Sequence, residues 1–162
     1  MTSRWLLPFF AVAALIGFGA APASAQTFTL TATLSGAGET PASVLTGAFG
    51  SATVVVDMTA RTVTYTVQVW NLPSGVTASH IHAGAVGTPG PVVVNFAPPT
   101  NASNDFSFTG VVPDTAFALQ PNIGIRSADD MFQAILGGNS YVNVHSTVNP
   151  GGEIRGQLIL KQ

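Results

Sequence analysis

Two segments of this chain alternate apolar and polar residues strictly enough to fix their conformation. In residues 27–34, phenylalanine, leucine and alanine occupy one set of alternate positions, and threonine occupies the other. In residues 62–70, valine and tyrosine alternate with threonine, glutamine and tryptophan. Because successive side chains of a strand point to opposite faces, both segments predict β-strands with one buried face.

The rest of the chain extends this pattern to an all-β fold of about eight antiparallel strands. Further strands are predicted at residues 49–57, 79–83, 91–96, 104–111, 140–146 and 153–161. Clusters of proline, glycine and asparagine separate these segments, and residues 57–61 are short enough for a hairpin loop. Strands at this spacing are typical of a Greek-key β-sandwich or a flattened barrel.

One short helix is predicted near residues 128–136. Ser127 can cap its start, Asp129 and Asp130 suit its first turn, and two glycines follow its last residue. The position of the acidic pair is explained by the helix dipole rather than by calcium binding.

Residues 1–25 have the pattern of a signal peptide. Arg4 supplies a positive start, residues 6–20 are apolar, and Ala-Ser-Ala at residues 23–25 forms a small-residue cleavage site. The apolar run is too short for a membrane span, so no stable membrane insertion is expected after cleavage. Residues 26–162 then form a single exported domain, either periplasmic or secreted.

Charge and cysteine content narrow the range of partners and ligands. The chain has five lysines and arginines against seven aspartates and glutamates, and it forms no basic patch, so nucleic acid is not an expected partner. It contains no cysteine, which excludes disulfide bonds and thiolate metal ligands.

The three histidines of the chain have matching positions in their strands. His80 and His82 are two residues apart, so they share a face, and His145 lies opposite the valines of its own strand. If those valines and Ile81 face the core, all three histidines face away from it. Three imidazoles are a sound ligand set for copper or zinc, provided that the two strands are neighbours. The alternative is that they are ordinary surface or hydrogen-bonded histidines.

The last strand adds an arginine to the same face. Ile154, Leu158 and Leu160 have the pattern of core residues, so Arg155 points outward. If this strand pairs with that of the third histidine, the guanidinium could steer and hold a small anion. Alternatively, it is a solvated charge or an ion-pair partner. Glu39 is either a hydrogen-bond acceptor for a histidine or a plain loop residue.

Four motifs, taken in order, resemble the CHRD domain, the module named after chordin. They are Leu-Ser-Gly-Ala-Gly-Glu-Thr-Pro at 34–41, Ala-Ser-His-Ile-His-Ala-Gly at 78–84, Tyr-Val-Asn-Val-His-Ser at 141–146, and Pro-Gly-Gly-Glu-Ile-Arg-Gly-Gln-Leu at 150–158. The resemblance covers about residues 28–160. It implies an extracytoplasmic β-sandwich and does not by itself settle an activity.

The chain is also distantly similar to copper-zinc superoxide dismutases. That family has a His-x-His on one strand, a further copper-binding histidine near the C-terminus and an active-site arginine after a glycine-rich turn. His80, His82, His145 and Arg155 match these roles in order. The bridging histidine, the zinc ligands and the cysteines of that family are absent here. The similarity therefore implies a copper-only site, with zinc less favoured, where Arg155 attracts and orients superoxide.

Two other functions remain open from the sequence. The chain could be a non-catalytic binding or matrix module whose loops at 84–91 and 97–104 contact a protein or glycan partner. It could also store or deliver copper without turnover. Dismutase activity requires bound copper and the arginine, storage requires only the metal, and a binding module requires neither.

Overall fold

The alternating segments form strands that wrap one apolar core. The computed structural model describes residues 25–162, and in these residues it contains nine strands and one α-helix. The strands are β1 (Thr27–Ser35), β2 (Phe49–Asp57), β3 (Thr62–Leu72), β4 (Val76–Ala83), β5 (Val92–Asn95), β6 (Asn104–Pro113), β7 (Ser140–Ser146), β8 (Ile154–Gln157) and β9 (Ile159–Leu160). The helix is α1 (Ala128–Leu136).

The strands form one antiparallel sheet that curls into a nearly closed, flattened barrel, as the sequence predicts. Their order is β5-β4-β7-β8-β1-β2-β3-β6, and β9 pairs with β1. The connections from β3 to β4 and from β6 to β7 cross between the two halves, as in a Greek key. A single residue pair, Ser35 with Arg155, joins β8 to β1.

The core follows from the period-two pattern. Apart from the partly buried Phe28, the alternate apolar residues of β1, β2 and β3 are almost entirely inaccessible to solvent, while the intervening threonines are half-buried or exposed. Met131, Phe132 and Ile135 of α1 pack into the same cluster. The apolar face of the helix thereby covers part of the barrel that the sheet alone leaves open.

Two local predictions are confirmed in atomic detail. In the β2–β3 hairpin, an Asp57 carboxylate oxygen accepts hydrogen bonds from the amides of Thr59 and Ala60, at 2.8 and 2.7 Å. At α1, the Asp130 amide donates to the Ser127 hydroxyl at 3.1 Å, and the Ser127 amide donates to the Asp130 carboxylate at 2.9 Å. This reciprocal pair is a capping box, which fixes the start of the helix.

The prediction for the last strand is partly wrong. Ile154 and Leu158 are buried, but Leu160 is 41% exposed rather than a core residue. The predicted strand is interrupted at Leu158: β8 and β9 both pair with β1 in one register, whereas the pairing with β7 ends at Gln157. Leu160 lies beyond Ser140, the first residue of β7, so β7 does not flank it.

The signal peptide predicted over residues 1–25 lies outside the described residues, except for its last residue, Ala25. Among the described residues, no helix is long and apolar enough to cross a membrane.

Candidate metal centre

Strands β4 and β7 are neighbours, and this brings the three histidines together. His80 pairs with Asn143, His82 pairs with Tyr141, and His145 pairs with Ala78 on β4. Cross-strand partners share a face, so all three imidazoles lie on the side of the sheet away from the core. One ring nitrogen of each lies within 4.8 Å of the other two.

The spacing of the three nitrogens is close to that of a metal site. His80 Nδ1 and His145 Nε2 are 3.2 Å apart. Imidazole nitrogens bound to a metal at about 2.0–2.1 Å stand about 3.3–3.6 Å from one another in tetrahedral or trigonal geometry. The widest separation must therefore shrink by about 1 Å, which rotation of the imidazole rings can supply.

Backbone carbonyls orient two of the rings. His82 Nδ1 lies 2.8 Å from the Gly90 oxygen, and His145 Nδ1 lies 2.9 Å from the Pro150 oxygen. A carbonyl can only accept, so each Nδ1 carries the proton and donates it. The Nε2 atom of both rings therefore keeps its lone pair, which is the arrangement that metal-binding histidines commonly show. The lone pair of His145 Nε2 accepts from His80 Nδ1 at 3.2 Å, a contact that a metal ion would replace.

The Nε2 atom of His82 is buried and makes no hydrogen bond of normal geometry, although the Asn143 side chain lies close enough to raise the pKa of His82. The neighbouring Asn143 Oδ1 is buried and unpartnered as well. Leaving a buried polar atom unsatisfied costs about 1–3 kcal/mol, so such atoms are uncommon in folded proteins. A metal ion held between the three rings would supply the partner that His82 Nε2 lacks.

Electrostatics keep the three rings neutral. Burial, together with repulsion from His145 and His82, lowers the pKa of His80 to about 4. Burial also lowers the pKa of His82 and of His145, although their hydrogen bonds to Gly90 and Pro150 oppose the shift. Neutral imidazole is the form that binds metals, so the cluster is ready for a metal at neutral pH.

The face that carries the histidines is covered rather than open. The sequence predicts that these side chains face away from the core, and they do, yet His82 is only 9% exposed and Arg155 only 3%. Two connections, residues 36–48 and 84–91, fold back over β4, β7 and β8 and contact Arg155. Alternation within a strand cannot reveal such a cover, because it depends on where long loops close.

Arg155 ties the two covering loops together. It pairs with Asn143 across β7 and β8, so it lies on the same face as the histidines. Its guanidinium donates to the Thr40 hydroxyl and, at 2.9 Å, to the Thr88 carbonyl oxygen. It also lies 3.4 Å from the centre of the Tyr141 ring. These contacts hold the positive charge beside the histidine cluster and under the loops.

Tyr141 belongs to the site although its residue type does not mark it as a metal ligand. Its ring is almost parallel to that of His82, with centroids 4.8 Å apart. Its hydroxyl accepts a hydrogen bond of 3.1 Å from the amide of Gly90, whose carbonyl in turn holds His82. The available signal was its position four residues before His145, which places both on one face of β7.

Glu39 is a buried loop residue that makes no hydrogen bond to the described histidines. It is 7% exposed, and its Oε1 has no partner. Burial raises its pKa to about 7, although the charge of Arg155 opposes the shift. Its carboxyl group lies against Gly152, where an added Cβ would come within 2.6 Å of it. Of the two alternatives that the sequence leaves open for Glu39, the structure supports the loop residue.

Comparison with known proteins identifies the family. The model of the CHRD domain matches residues 30–158, which span β1 to β8 and include all three histidines and Arg155. No curated protein and no solved structure matches the chain. Because the matched residues make up most of the sequence, the chain belongs to the CHRD domain family.

Proposed function

We propose that this protein is exported and binds one copper ion through His80, His82 and His145. The observation that carries the proposal is the buried, unpartnered Nε2 of His82, which faces two further neutral imidazoles. Among the described residues, no carboxylate joins this set. Imidazole ligands suit both copper and zinc, and a given site generally binds Cu²⁺ more tightly than Zn²⁺, which favours copper.

The activity that this site supports best is superoxide dismutation. Bound copper would supply one-electron chemistry: one superoxide is oxidised to dioxygen, and a second superoxide is reduced and takes up two protons to give hydrogen peroxide. The chain contributes three ligands, which leave a coordination position free. The half-burial of His80 and His145 supports access from solvent.

In this proposal Arg155 attracts the anion. Its charge is shielded from water by the covering loops, and a charge acts more strongly where water is excluded. Its hydrogen bonds to Thr40 and Thr88 fix the guanidinium, so the field at the cluster does not depend on a mobile side chain.

Copper storage or delivery without turnover is the second candidate. It is favoured by the same burial of Arg155, because a guanidinium that is 3% exposed and bonded to two loops has little freedom to contact a substrate. Storage needs the three histidines and gains stability from the loops that Arg155 holds.

The experiment loads the purified protein with one equivalent of copper(II), removes the excess, and records metal content and the electron paramagnetic resonance spectrum. We expect one retained copper with nitrogen hyperfine structure from imidazole. His82→Ala and His145→Ala should each weaken binding at least about 100-fold, which exceeds the usual loss on removing an outer-shell partner. Thr66→Ala, on β3 and away from the site, is the matched control.

Three outcomes decide between the candidates. If parent and histidine variants are folded and retain copper equally, the site is wrong. In a second outcome, the parent retains copper, yet superoxide decays no faster than it does with an equal amount of copper-free Thr66→Ala. In that case storage or delivery becomes the proposed function in place of dismutation. If no copper is retained, a binding module with a protein or glycan partner becomes the better account.

A further inference from the structure

The other half of the sheet presents a face of unusual composition. The outward residues of β1, β2, β3 and β6 are mostly threonine and serine, aligned in rows by the strand register. One row joins Ser51, Gln68 and Ser107, and another joins Thr53, Thr66 and Thr109. This face, which we call the threonine face, contains no lysine or arginine.

An aromatic pair stands at one end of the threonine face. Phe49 of β2 and Trp70 of β3 are cross-strand partners, and their rings stack with centroids 5.3 Å apart at an angle of 17°. Aromatic cross-strand pairs commonly stabilise sheets, but Phe49 remains 47% exposed. A large apolar surface is therefore left open to water beside polar side chains.

A bulge shapes the surface next to this pair. The pairing of β3 with β6 shifts register between Val69 and Leu72, and Asn71 has a positive φ of 54°. Bulges often re-aim side chains at binding sites. Here the bulge lies beside a pocket of about 250 Å³ whose lining includes Gln68, Trp70 and Asp105.

The charges of the threonine face indicate what kind of partner fits. Its carboxylates are Asp57 and Asp105, and each accepts hydrogen bonds from backbone amides. The lysine that borders the face, Lys161, lies opposite Thr29 at the end away from the aromatic pair, so an anionic polymer beside that pair would find no counter-charge. A protein partner with an ordinary charged surface would bury its charged side chains against this face without ion-pair partners, which is costly. An uncharged molecule with many hydroxyl groups needs no counter-charge and buries no charged group.

We propose that the threonine face binds a neutral polysaccharide. One sugar ring packs its C–H groups against the Phe49–Trp70 pair, and its hydroxyl groups bond to Gln68, Asp105 and Ser107 in and around the pocket. An apolar platform with a few converging polar groups is the usual composition of a small-molecule site. Neighbouring sugars of the chain continue along the rows of threonines.

Tryptophan fluorescence tests this site directly. The sequence has two tryptophans, Trp5 in the predicted signal peptide and Trp70, so Trp5→Phe leaves Trp70 as the sole tryptophan whether or not residues 1–25 are removed. The probes are cellohexaose, xylohexaose, maltohexaose and chitohexaose, with hexagalacturonate as the anionic comparison. We expect at least one neutral probe to shift the emission of Trp70 in a saturable manner below roughly 10 mM.

Variants localise the binding. Phe49→Ala should weaken it roughly tenfold or more, as truncation of an aromatic anchor usually does. Gln68→Ala, at an exposed position that cannot unfold the barrel, should also weaken it. Val111→Ala, which removes an exposed side chain elsewhere on the face, should bind like the parent.

Three results would overturn the proposal: no neutral probe changes the emission, the Phe49 and Gln68 variants bind like the parent, or the anionic probe binds more tightly than every neutral one. Binding should be equal in copper-loaded and copper-free protein, so failure of the copper proposal leaves this test unaffected.

Discussion

Gly90→Ala should weaken copper binding without touching a ligand. Gly90 has no side chain because its backbone lies against β4: a Cβ built there would be 1.6 Å from the Ala83 carbonyl oxygen, whereas real Cβ contacts are essentially never shorter than 3.0 Å. The loop must therefore move by at least 3.0 − 1.6 = 1.4 Å. Its carbonyl holds His82 Nδ1 at 2.8 Å, and a displacement of that size breaks the bond.

The expected loss follows from the role of that bond. The hydrogen bond fixes the tautomer that leaves Nε2 free, and it opposes the effect of burial by raising the pKa of His82. Loss of such an outer-shell partner typically costs about 10–100-fold in metal affinity, or about 1.4–2.7 kcal/mol. The histidines themselves stay in place on β4 and β7.

The assay is a competition titration of copper against a chromophoric chelator at neutral pH. Gly47→Ala is the matched control, since a Cβ there meets no atom within 4 Å and the same residue change is made. Nitrogen-15 spectra of the imidazoles should show a single His82 tautomer in the control and a mixture in Gly90→Ala. A folded Gly90→Ala protein with the affinity and tautomer of the control would refute the reasoning.

Four further changes test the surroundings of the cluster. Tyr141→Phe removes the hydroxyl that accepts from the Gly90 amide but keeps the ring on His82. The free energy of copper binding should therefore weaken by roughly 0.5–1.5 kcal/mol, the net contribution of one hydrogen bond. The same chelator titration measures this loss, and a larger one would contradict a purely positioning role. Because the pKa of His80 is lowered to about 4, protonation of this ring should not weaken copper binding above pH 5; an affinity that falls about tenfold per pH unit below pH 6.5 in the chelator titration would indicate an ordinary exposed histidine. The pKa of Glu39 is raised from 4.5 to about 7, so the native state keeps a proton that the unfolded chain releases, and stability falls as pH rises through that window. In urea unfolding, Glu39→Gln should therefore be more stable than the parent by about 3 kcal/mol above pH 7 and equal to it below pH 4.5; a constant difference would refute the shift. Arg155→Lys keeps the charge but loses the forked geometry, so it should preserve the ionic-strength dependence of any dismutase rate while lowering the Tm. Arg155→Ala removes the charge as well, so it should lower the Tm and also abolish the ionic-strength dependence.

Much of the fold could be read from local pattern. The alternation in residues 27–34 and 62–70 determines which side chains are buried, because period two follows from the geometry of a strand and needs no knowledge of its neighbours. The capping box at Ser127 and the Asp57 turn are equally local, since each is completed by atoms within a few residues. The prediction failed at Leu160, which lies beyond the first residue of β7 and so lacks that flanking strand.

The candidate site likewise has features that follow from local sequence pattern and features that depend on the tertiary structure. The sequence by itself determined that His80, His82, His145 and Arg155 share the side of their strands opposite the core. Only the tertiary structure decided that β4 lies beside β7, that carbonyls at Gly90 and Pro150 orient the rings, and that two loops cover the face. Those features depend on contacts between residues far apart in the chain, and local periodicity contains no information about which distant segments meet.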